Sequence, residues 1–125
     1  SRNAMAVAAA TANAVLDVIE DEGLMENARV TGTYLAEGLR DLGARHGVLG
    51  EVRAAGLFAG ADVERDGAPD AALAARIVNG LRARHVLISA TGKSGHILKI
   101  RPPLTFGREH ADVLLGRLDE VLVEV

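Results

Sequence analysis

The spacing of apolar and polar residues along the chain predicts helices that alternate with short strands. Residues 5–22 are rich in helix-forming residues and contain neither proline nor glycine, so we predict a first helix that ends at Gly23. A second helix is predicted over residues 24–44, because apolar residues recur there at helical spacing and Gly43 and Gly47 bracket its end. The residues of this stripe are Ala28, Leu35, Leu39 and Leu42.

The apolar period shortens to two residues between positions 51 and 64, which is the period of a strand. The apolar residues on one side of this predicted strand are Leu57, Ala59, Ala61 and Val63. Gly56 and Gly60 interrupt the pattern and indicate a bulge or a close approach of another backbone.

A loop, a helix and a hairpin are predicted next. Residues 65–70 have the composition of a loop that ends on Asp70, a residue suited to cap a helix. Apolar residues in steps of four then predict a helix to about Ala83. Two short strands follow at 86–90 and 97–101, and the glycine-containing segment between them is typical of a hairpin connection.

Apolar residues at helical spacing predict a last helix over residues 108–123. The predicted element order is α-α-β-α-β-β-α, and the hairpin makes at least part of the sheet antiparallel. We therefore predict a two-layer α/β fold of the α+β type, formed by a single unit over residues 5–125. Residues 1–4 are expected to be a vector-derived remnant or a truncated end.

Composition narrows the classes of function. A length of 125 residues is that of one ordinary domain. Fourteen basic and seventeen acidic residues give a net charge of −3 with interspersed signs, which favours neither nucleic acid nor a membrane surface as a partner. The chain contains no cysteine, which excludes a disulfide framework and a thiolate metal ligand and fits a cytoplasmic location.

The loop between the last two predicted strands matches neither of two known functional motifs. Gly92-Lys93-Ser94 has the letters that end a phosphate-binding P-loop, but that motif needs a glycine where Leu87 stands and a helix afterwards. A serine-hydrolase elbow needs a glycine two residues after its nucleophile, whereas Gly95 follows Ser94 directly.

The remaining titratable residues indicate no metal centre. The four histidines show neither paired helical spacing nor carboxylates at ligand spacing, so we predict surface or capping roles for them. Four acidic residues of the predicted strand and loop lack the spacing of a calcium loop, and a solvated charged rim is predicted instead. These residues are His46, His85, His96 and His110, and Asp62, Glu64, Asp66 and Asp70.

Arg101 stands at the end of the last predicted strand. Because side chains alternate across a strand, burial of Leu98 and Ile100 places Arg101 on the opposite face of the sheet. Pro102 restricts the backbone of Arg101 to extended conformations. A guanidinium on a stiff strand end is a fixed two-pronged donor for a carboxylate, which belongs either to a ligand or to a neighbouring aspartate or glutamate.

Three blocks of the sequence together resemble the C-terminal region of class III pyridoxal-phosphate-dependent aminotransferases. The blocks are VLDVIEDEGLMENARVTGTYLAEGLRDL, GEVRAAGLFAGADV and HILKIRPPLTFGREHADVLLGRLDEVL. The resemblance extends over residues 7–125, and IRPPL after TGKSG resembles the branch that contains alanine–glyoxylate, β-amino-acid and 4-aminobutyrate aminotransferases. Two departures are Ala54, where family members often have glycine, and Arg2-Asn3-Ala4 in place of a Gly-Asn-Pro entry.

The resemblance implies a fold type I enzyme whose large domain binds the cofactor and whose small domain includes this chain as a C-terminal fragment. Residues 5–22 then correspond to the helix that leads out of the large domain. The implied activity is transfer of an amino group between an amino acid or ω-amine and a 2-oxo acid, with Arg101 binding the substrate carboxylate. The complete enzyme is expected to bind pyridoxal 5′-phosphate and to be a homodimer.

The family's cofactor-holding residues precede the region that this chain resembles. One of them is a lysine that bonds to the cofactor aldehyde, and neither Lys93 nor Lys99 stands in such a motif. We therefore expect no catalytic, cofactor-binding or metal-binding residue in this chain, no bound cofactor, and no activity of the chain alone. The alternative is a stand-alone, non-catalytic module that binds a ligand or docks its apolar first helix on a partner.

Overall fold

Three helices and five strands make up the part of the chain that the structure describes. The structure is a computed structural model that describes the backbone of residues 7–125 and the side chains of residues 23–125. Its elements are α1 (Val7–His46), β1 (Leu49–Ala55), β2 (Phe58–Arg65), β3 (Ala68–Pro69), α2 (Ala71–Ala83), β4 (Ser89–Thr91), β5 (Ile97–Ile100) and α3 (Arg108–Glu124). None of the described helices is long and apolar enough to cross a membrane. The predicted remnant at residues 1–4 and the apolar docking face of residues 5–22 lie outside the described side chains.

Helix α1 continues through Gly23, so the prediction of two helices separated at that residue is wrong. A glycine ends a helix where its backbone adopts a positive φ. Gly47 does so, with a φ of 72°, and its N–H donates to the Gly43 carbonyl at 2.9 Å. A glycine inside a helix costs only about 1 kcal/mol relative to alanine, and burial of the later turns of α1 offsets that cost.

The strands form an antiparallel sheet in the order β1-β2-β5-β4, with β3 paired to the end of β2. The single strand predicted over residues 51–64 is two strands, because Gly56 and Leu57 form a tight turn between them. Gly56 has a φ of 57°, as the first central residue of a type II′ hairpin turn requires. The observed element order is therefore α-β-β-β-α-β-β-α.

Strand β4 is shorter and begins later than the strand predicted at 86–90. The β4–β5 register pairs Ser89 with Lys99, so Leu87 and Val86 would have to pair beyond Ile100, with Arg101 and Pro102. Pro102 has no N–H to offer there, which ends the ladder. The hairpin itself is antiparallel, as predicted.

The helices pack on one face of the sheet, which gives the predicted two layers. Alternate residues of β1, β2 and β5 are buried beneath the helices: Val52, Ala59, Ala61, Val63, Leu98 and Ile100. They share one apolar core with residues from all three helices, among them Leu35, Leu39, Leu73, Ile77, Leu81, Leu114 and Leu118. We call the opposite side of the sheet the outer face.

Two helix predictions are confirmed in detail. Asp70 caps α2, because its carboxylate accepts a hydrogen bond of 2.9 Å from the Leu73 backbone N–H. Helix α2 ends at Ala83 as predicted. Helix α3 buries the predicted stripe from Ala111 to Leu122 against the core.

Helix α1 meets the tip of the β1–β2 hairpin at a contact between two glycines. Gly32 is buried, and a Cβ at this position would lie closer than 3.0 Å to the carbonyl of Gly56. Real Cβ atoms essentially never approach a backbone oxygen so closely, so any larger residue would push the hairpin away from the helix. The sequence indicates either a bulge or a close backbone approach near Gly56 and Gly60, and at Gly56 the structure shows the close approach.

Gly32→Ala is expected to lower the free energy of unfolding by about 1–3 kcal/mol, because the new methyl group overlaps rigid backbone and not a flexible side chain. Gly116→Ala is the matched control, since nothing lies within 4 Å of a Cβ there. It should raise the free energy of unfolding by about 0.5–1 kcal/mol through helix propensity. Urea denaturation measures both variants, and equal stability of the two would contradict the close packing of Gly32.

Candidate functional site

Arg101 leaves β5 on the outer face of the sheet. Leu98 and Ile100 are buried on the inner face, so the predicted alternation is confirmed. The Arg101 side chain is exposed and forms no hydrogen bond or ion pair with another residue of the described part of the chain. A salt bridge to a neighbouring aspartate or glutamate, one of the two alternatives for this arginine, is therefore not formed among those residues.

The aromatic ring of Phe58 lies beneath the Arg101 guanidinium. The central carbon of the guanidinium is 5.3 Å from the ring centroid, within the range of a cation–π interaction. The β2–β5 register explains the contact, because Ala59 pairs with Ile100 and the next pair along the ladder is Phe58 with Arg101. The sequence alone does not reveal this contact of Phe58, because the contact depends on the register of two strands.

The loop after Arg101 is held by helix α1. The Asn27 side-chain amide donates to the backbone carbonyls of Leu104 and Phe106, each at 3.0 Å. The buried hydroxyl of Thr31 donates to the Asn27 side-chain oxygen at 3.2 Å and fixes its orientation. No local pattern in the sequence marks Asn27, because its partners lie 77 and 79 residues away.

A cleft of about 360 Å³ opens beside Arg101. It lies between the end of β5, the start of α3 and the segment that follows α2. Apolar side chains line it together with two histidines: the exposed Leu87, Pro103 and Val113 and the half-buried Phe106, with His85 and His110. The cleft is therefore a mostly apolar space with a cation at its border, which suits a small organic anion.

The other arginine of the outer face is occupied by carboxylates. The Arg53 guanidinium donates to Asp62 at 2.7 Å and to Glu51 at 2.5 Å. The hydrogen bond that Asp62 accepts from Arg53, together with the positive charge of that guanidinium, holds the pKa of Asp62 below its ordinary value of 3.8. The N–H donors of Arg53 are thus used by neighbouring carboxylates, whereas no residue with a described side chain accepts a hydrogen bond from Arg101.

His85 and His110 take the predicted surface and capping positions, whereas His46 and His96 are half-buried. His110 accepts a hydrogen bond of 2.9 Å from the Gly107 backbone N–H at the start of α3, and His46 lies 2.6 Å from Asp119 on α3. His85 is exposed, and the Nδ1 atom of His96 is buried without a partner among the described residues. No group of three metal-ligating side chains occurs among the described residues.

The sequence profile described as "Aminotransferase class-III" matches residues 3–122, which is nearly the whole chain. The chain belongs to the class-III aminotransferase family. The resemblance seen in the sequence blocks is thereby confirmed.

Individual proteins show how this class-III region compares with known sequences and structures. It is 41% identical over 123 residues to an alanine–glyoxylate aminotransferase 2-like protein of Drosophila melanogaster, covering 95% of this chain and 25% of that protein. A phospholyase from Arthrobacter, solved in complex with phosphoethanolamine, is 41% identical with a TM-score of 0.83 over 94% of this chain and 28% of that one. An amine transaminase from an uncultivated Pseudomonas species, solved in its PLP-bound form, is 34% identical with a TM-score of 0.75 over 94% and 27%.

The class-III region described here spans about a quarter of the length of the curated relatives that it matches. The neighbouring structures, which include an aminotransferase and a PLP-bound amine transaminase, confirm the α/β fold. Family membership implies pyridoxal 5′-phosphate as the cofactor of the complete enzyme.

The described residues do not by themselves fit the cofactor. Lys93 is exposed on the β4–β5 loop, and Lys99 projects from the open outer face between β2 and β4. Neither lysine lines the cleft beside Arg101. No step through the cofactor is derived from this chain.

The Arg53–Asp62 pair gives the class-III region a measurable pH dependence. The folded-state pKa of Asp62 is below its ordinary value of 3.8, so the pair stabilises the fold above that pH and loses its effect as pH falls through the folded-state pKa. Asp62→Asn is expected to cost about 0.5–1 kcal/mol of unfolding free energy at neutral pH, because the pair is partly exposed. Urea denaturation from pH 7 downward should show this difference constant above about pH 5 and shrinking below it. A difference that grows on acidification would contradict the pairing.

Proposed function

We propose that this chain is the C-terminal part of a class III aminotransferase in which Arg101 binds the carboxylate of the substrate. The observation that carries the proposal is the placement of Arg101, which is exposed at a stiff strand end beside a cleft of about 360 Å³. Its guanidinium rests on Phe58 and makes no ion pair with a described carboxylate. Family membership supplies the reaction class to which such a site belongs.

A fixed guanidinium suits both substrates of an amino-group transfer. An amino acid and the 2-oxo acid formed from it carry a carboxylate next to the reacting carbon, so one cation orients both. Two parallel N–H···O bonds from a guanidinium fix the plane of that carboxylate as well as its position. When bound in the complete enzyme, pyridoxal 5′-phosphate would carry the amino group between the two substrates.

The remaining parts of the reaction are assigned to the complete enzyme. The chain spans about a quarter of the length of its relatives. We therefore propose that the cofactor-binding lysine and the phosphate-binding groups belong to the other three quarters of a complete enzyme. We propose a homodimer of such complete chains, with an amino acid or an ω-amine as donor and a 2-oxo acid as acceptor. The cytoplasmic location expected from the sequence stays a prediction.

The similarity to a phospholyase supports a second candidate reaction. That relative was solved with phosphoethanolamine, which carries a phosphate and no carboxylate. A complete enzyme of this kind would eliminate phosphate from a phosphorylated amine. Comparing an amino acid with phosphoethanolamine as substrates separates the two reactions.

Arg101→Ala in the complete enzyme is expected to raise KM for carboxylate-bearing substrates by about ten- to hundredfold, which corresponds to the loss of a charge-assisted pair worth about 1.5–3 kcal/mol. Arg101→Lys should recover only part of that loss, because an ammonium group does not form the bidentate pair. Steady-state kinetics with an amino acid and with an amine that lacks a carboxylate measure the effect.

The matched control is Arg108→Ala, which removes another exposed arginine that lies over an aromatic ring but does not line the cleft. It should leave KM near that of the unmodified enzyme. Unchanged kinetics of Arg101→Ala would return Arg101 to a structural role, and a loss of activity toward phosphoethanolamine alone would favour the phospholyase reaction.

The isolated 125-residue chain is expected to be inactive, because neither Lys93 nor Lys99 lies in an enclosed site. After incubation with pyridoxal 5′-phosphate and borohydride reduction, mass spectrometry should find no stoichiometric adduct on a single lysine. Turnover of an amino donor by the chain, together with such an adduct, would contradict the proposal and favour a complete catalytic unit.

A further inference from the structure

We infer that Phe58 is a positioning residue that holds the Arg101 guanidinium in the orientation needed to bind a substrate carboxylate. The inference rests on the proposed role of Arg101 and extends it to a residue of a different strand. Three observations carry it: the strand register, the exposure of the ring, and the way in which an aromatic face holds a cation.

The register makes Phe58 the direct cross-strand neighbour of Arg101. Strands β2 and β5 pair Asp62 with Ile97 and Ala59 with Ile100, and the same alignment sets Phe58 opposite Arg101. Directly opposite residues of an antiparallel pair have Cβ atoms about 4.5–5.5 Å apart on the same face. The observed distance of 5.3 Å from the guanidinium carbon to the ring centroid is what this placement produces.

The fold itself does not account for a phenylalanine at this position. Ala59, Ala61 and Val63 of the same strand supply the buried side of β2, whereas Phe58 is 40% exposed on the outer face. An exposed ring contributes little to the core, and among the described residues its specific partner is Arg101.

An aromatic face restrains an arginine without using its hydrogen-bond donors. The attraction acts between the cation and the face of the ring, so the ring uses none of the N–H groups of the guanidinium. A carboxylate partner would restrain the arginine as well but would occupy the same donors, as Asp62 and Glu51 do at Arg53. The ring therefore lowers the entropy that Arg101 must lose on binding while leaving its binding capacity intact.

The test is Phe58→Leu in the complete enzyme, with Phe58→Tyr as the conservative variant. We expect Phe58→Leu to raise KM for an amino-acid substrate about two- to fivefold, the size of an exposed cation–π interaction, with kcat unchanged. KM for an amine without a carboxylate should not move. Phe58→Tyr, which keeps the aromatic face, should restore the amino-acid KM.

Double substitution separates this inference from the proposed function. If Arg101 binds the carboxylate and Phe58 acts through it, Phe58→Leu should have no further effect on KM in an Arg101→Ala background. If Arg101→Ala raises KM but Phe58→Leu does not, the positioning role of Phe58 is overturned and the proposed role of Arg101 stands. If Arg101→Ala has no effect, the proposed function has failed first.

A merely structural role for Phe58 has a different signature. It would lower kcat or raise KM for both substrate types, and Phe58→Leu would lower the thermal unfolding temperature of the enzyme; that outcome overturns the inference. Val123→Ala is the control for removing an exposed apolar side chain elsewhere, since Val123 is 73% exposed near the end of α3. It should leave both KM values unchanged.

Discussion

The tightest packing at a glycine in the described part of the chain is the contact between Gly32 of helix α1 and the Gly56 carbonyl at the tip of the β1–β2 hairpin. A helix can approach a turn this closely only where the helix residue has no Cβ, and the turn needs glycine for its positive φ. Phe58 follows Gly56 by two residues. The contact between the glycines therefore fixes the position of the Phe58 ring, over which the Arg101 guanidinium lies. Asn27, little more than one helical turn before Gly32, holds the loop on the other side of Arg101. One helix thus locates the arginine from two directions.

The outer face separates two uses of arginine. Arg53 is tied to Asp62 and Glu51, and the resulting fall in the pKa of Asp62 shows that the carboxylate is stabilised in its charged form. Such a pair fixes strands but leaves few donors for anything else. Arg101 is restrained by an aromatic ring instead, which costs it no donor. The exposed Arg101 guanidinium remains hydrated, so the arrangement is stable without a ligand. It can also bind an anionic ligand, because no described carboxylate competes for its donors.

Local periodicity predicted those features that depend on a residue and its near neighbours. The alternation in β5, the Asp70 cap and the apolar stripe of α3 are of this kind. The predicted helix end at Gly23 is wrong because such a glycine ends a helix where its φ becomes positive. Whether that happens depends on the packing around the glycine. The contact of Arg101 with Phe58 and the hydrogen bonds that hold the loop after Arg101 could not be predicted for a different reason. They depend on the β2–β5 register and on the long-range partners of Asn27, which are set by tertiary structure. The role proposed for Arg101 rests on the family resemblance, whereas its contact with Phe58 is visible only in the folded structure.

Arg108 shows why geometry alone does not assign a role to an arginine over a ring. Its guanidinium lies 4.2 Å from the centroid of Tyr34, closer than Arg101 lies to Phe58. Tyr34, however, is itself hydrogen-bonded to Asp112 on α3, so ring, carboxylate and arginine form one local cluster that joins α1 to α3. A cation at the first residue of a helix is unfavourable beside the helix dipole, and the contact with the Tyr34 ring offsets part of that cost. Arg101 has no such local task among the described residues, stands on a restricted backbone before proline, and borders a cleft. The difference between the two arginines therefore lies in what surrounds each pair, and it is the surroundings of Arg101 that leave a place for a substrate.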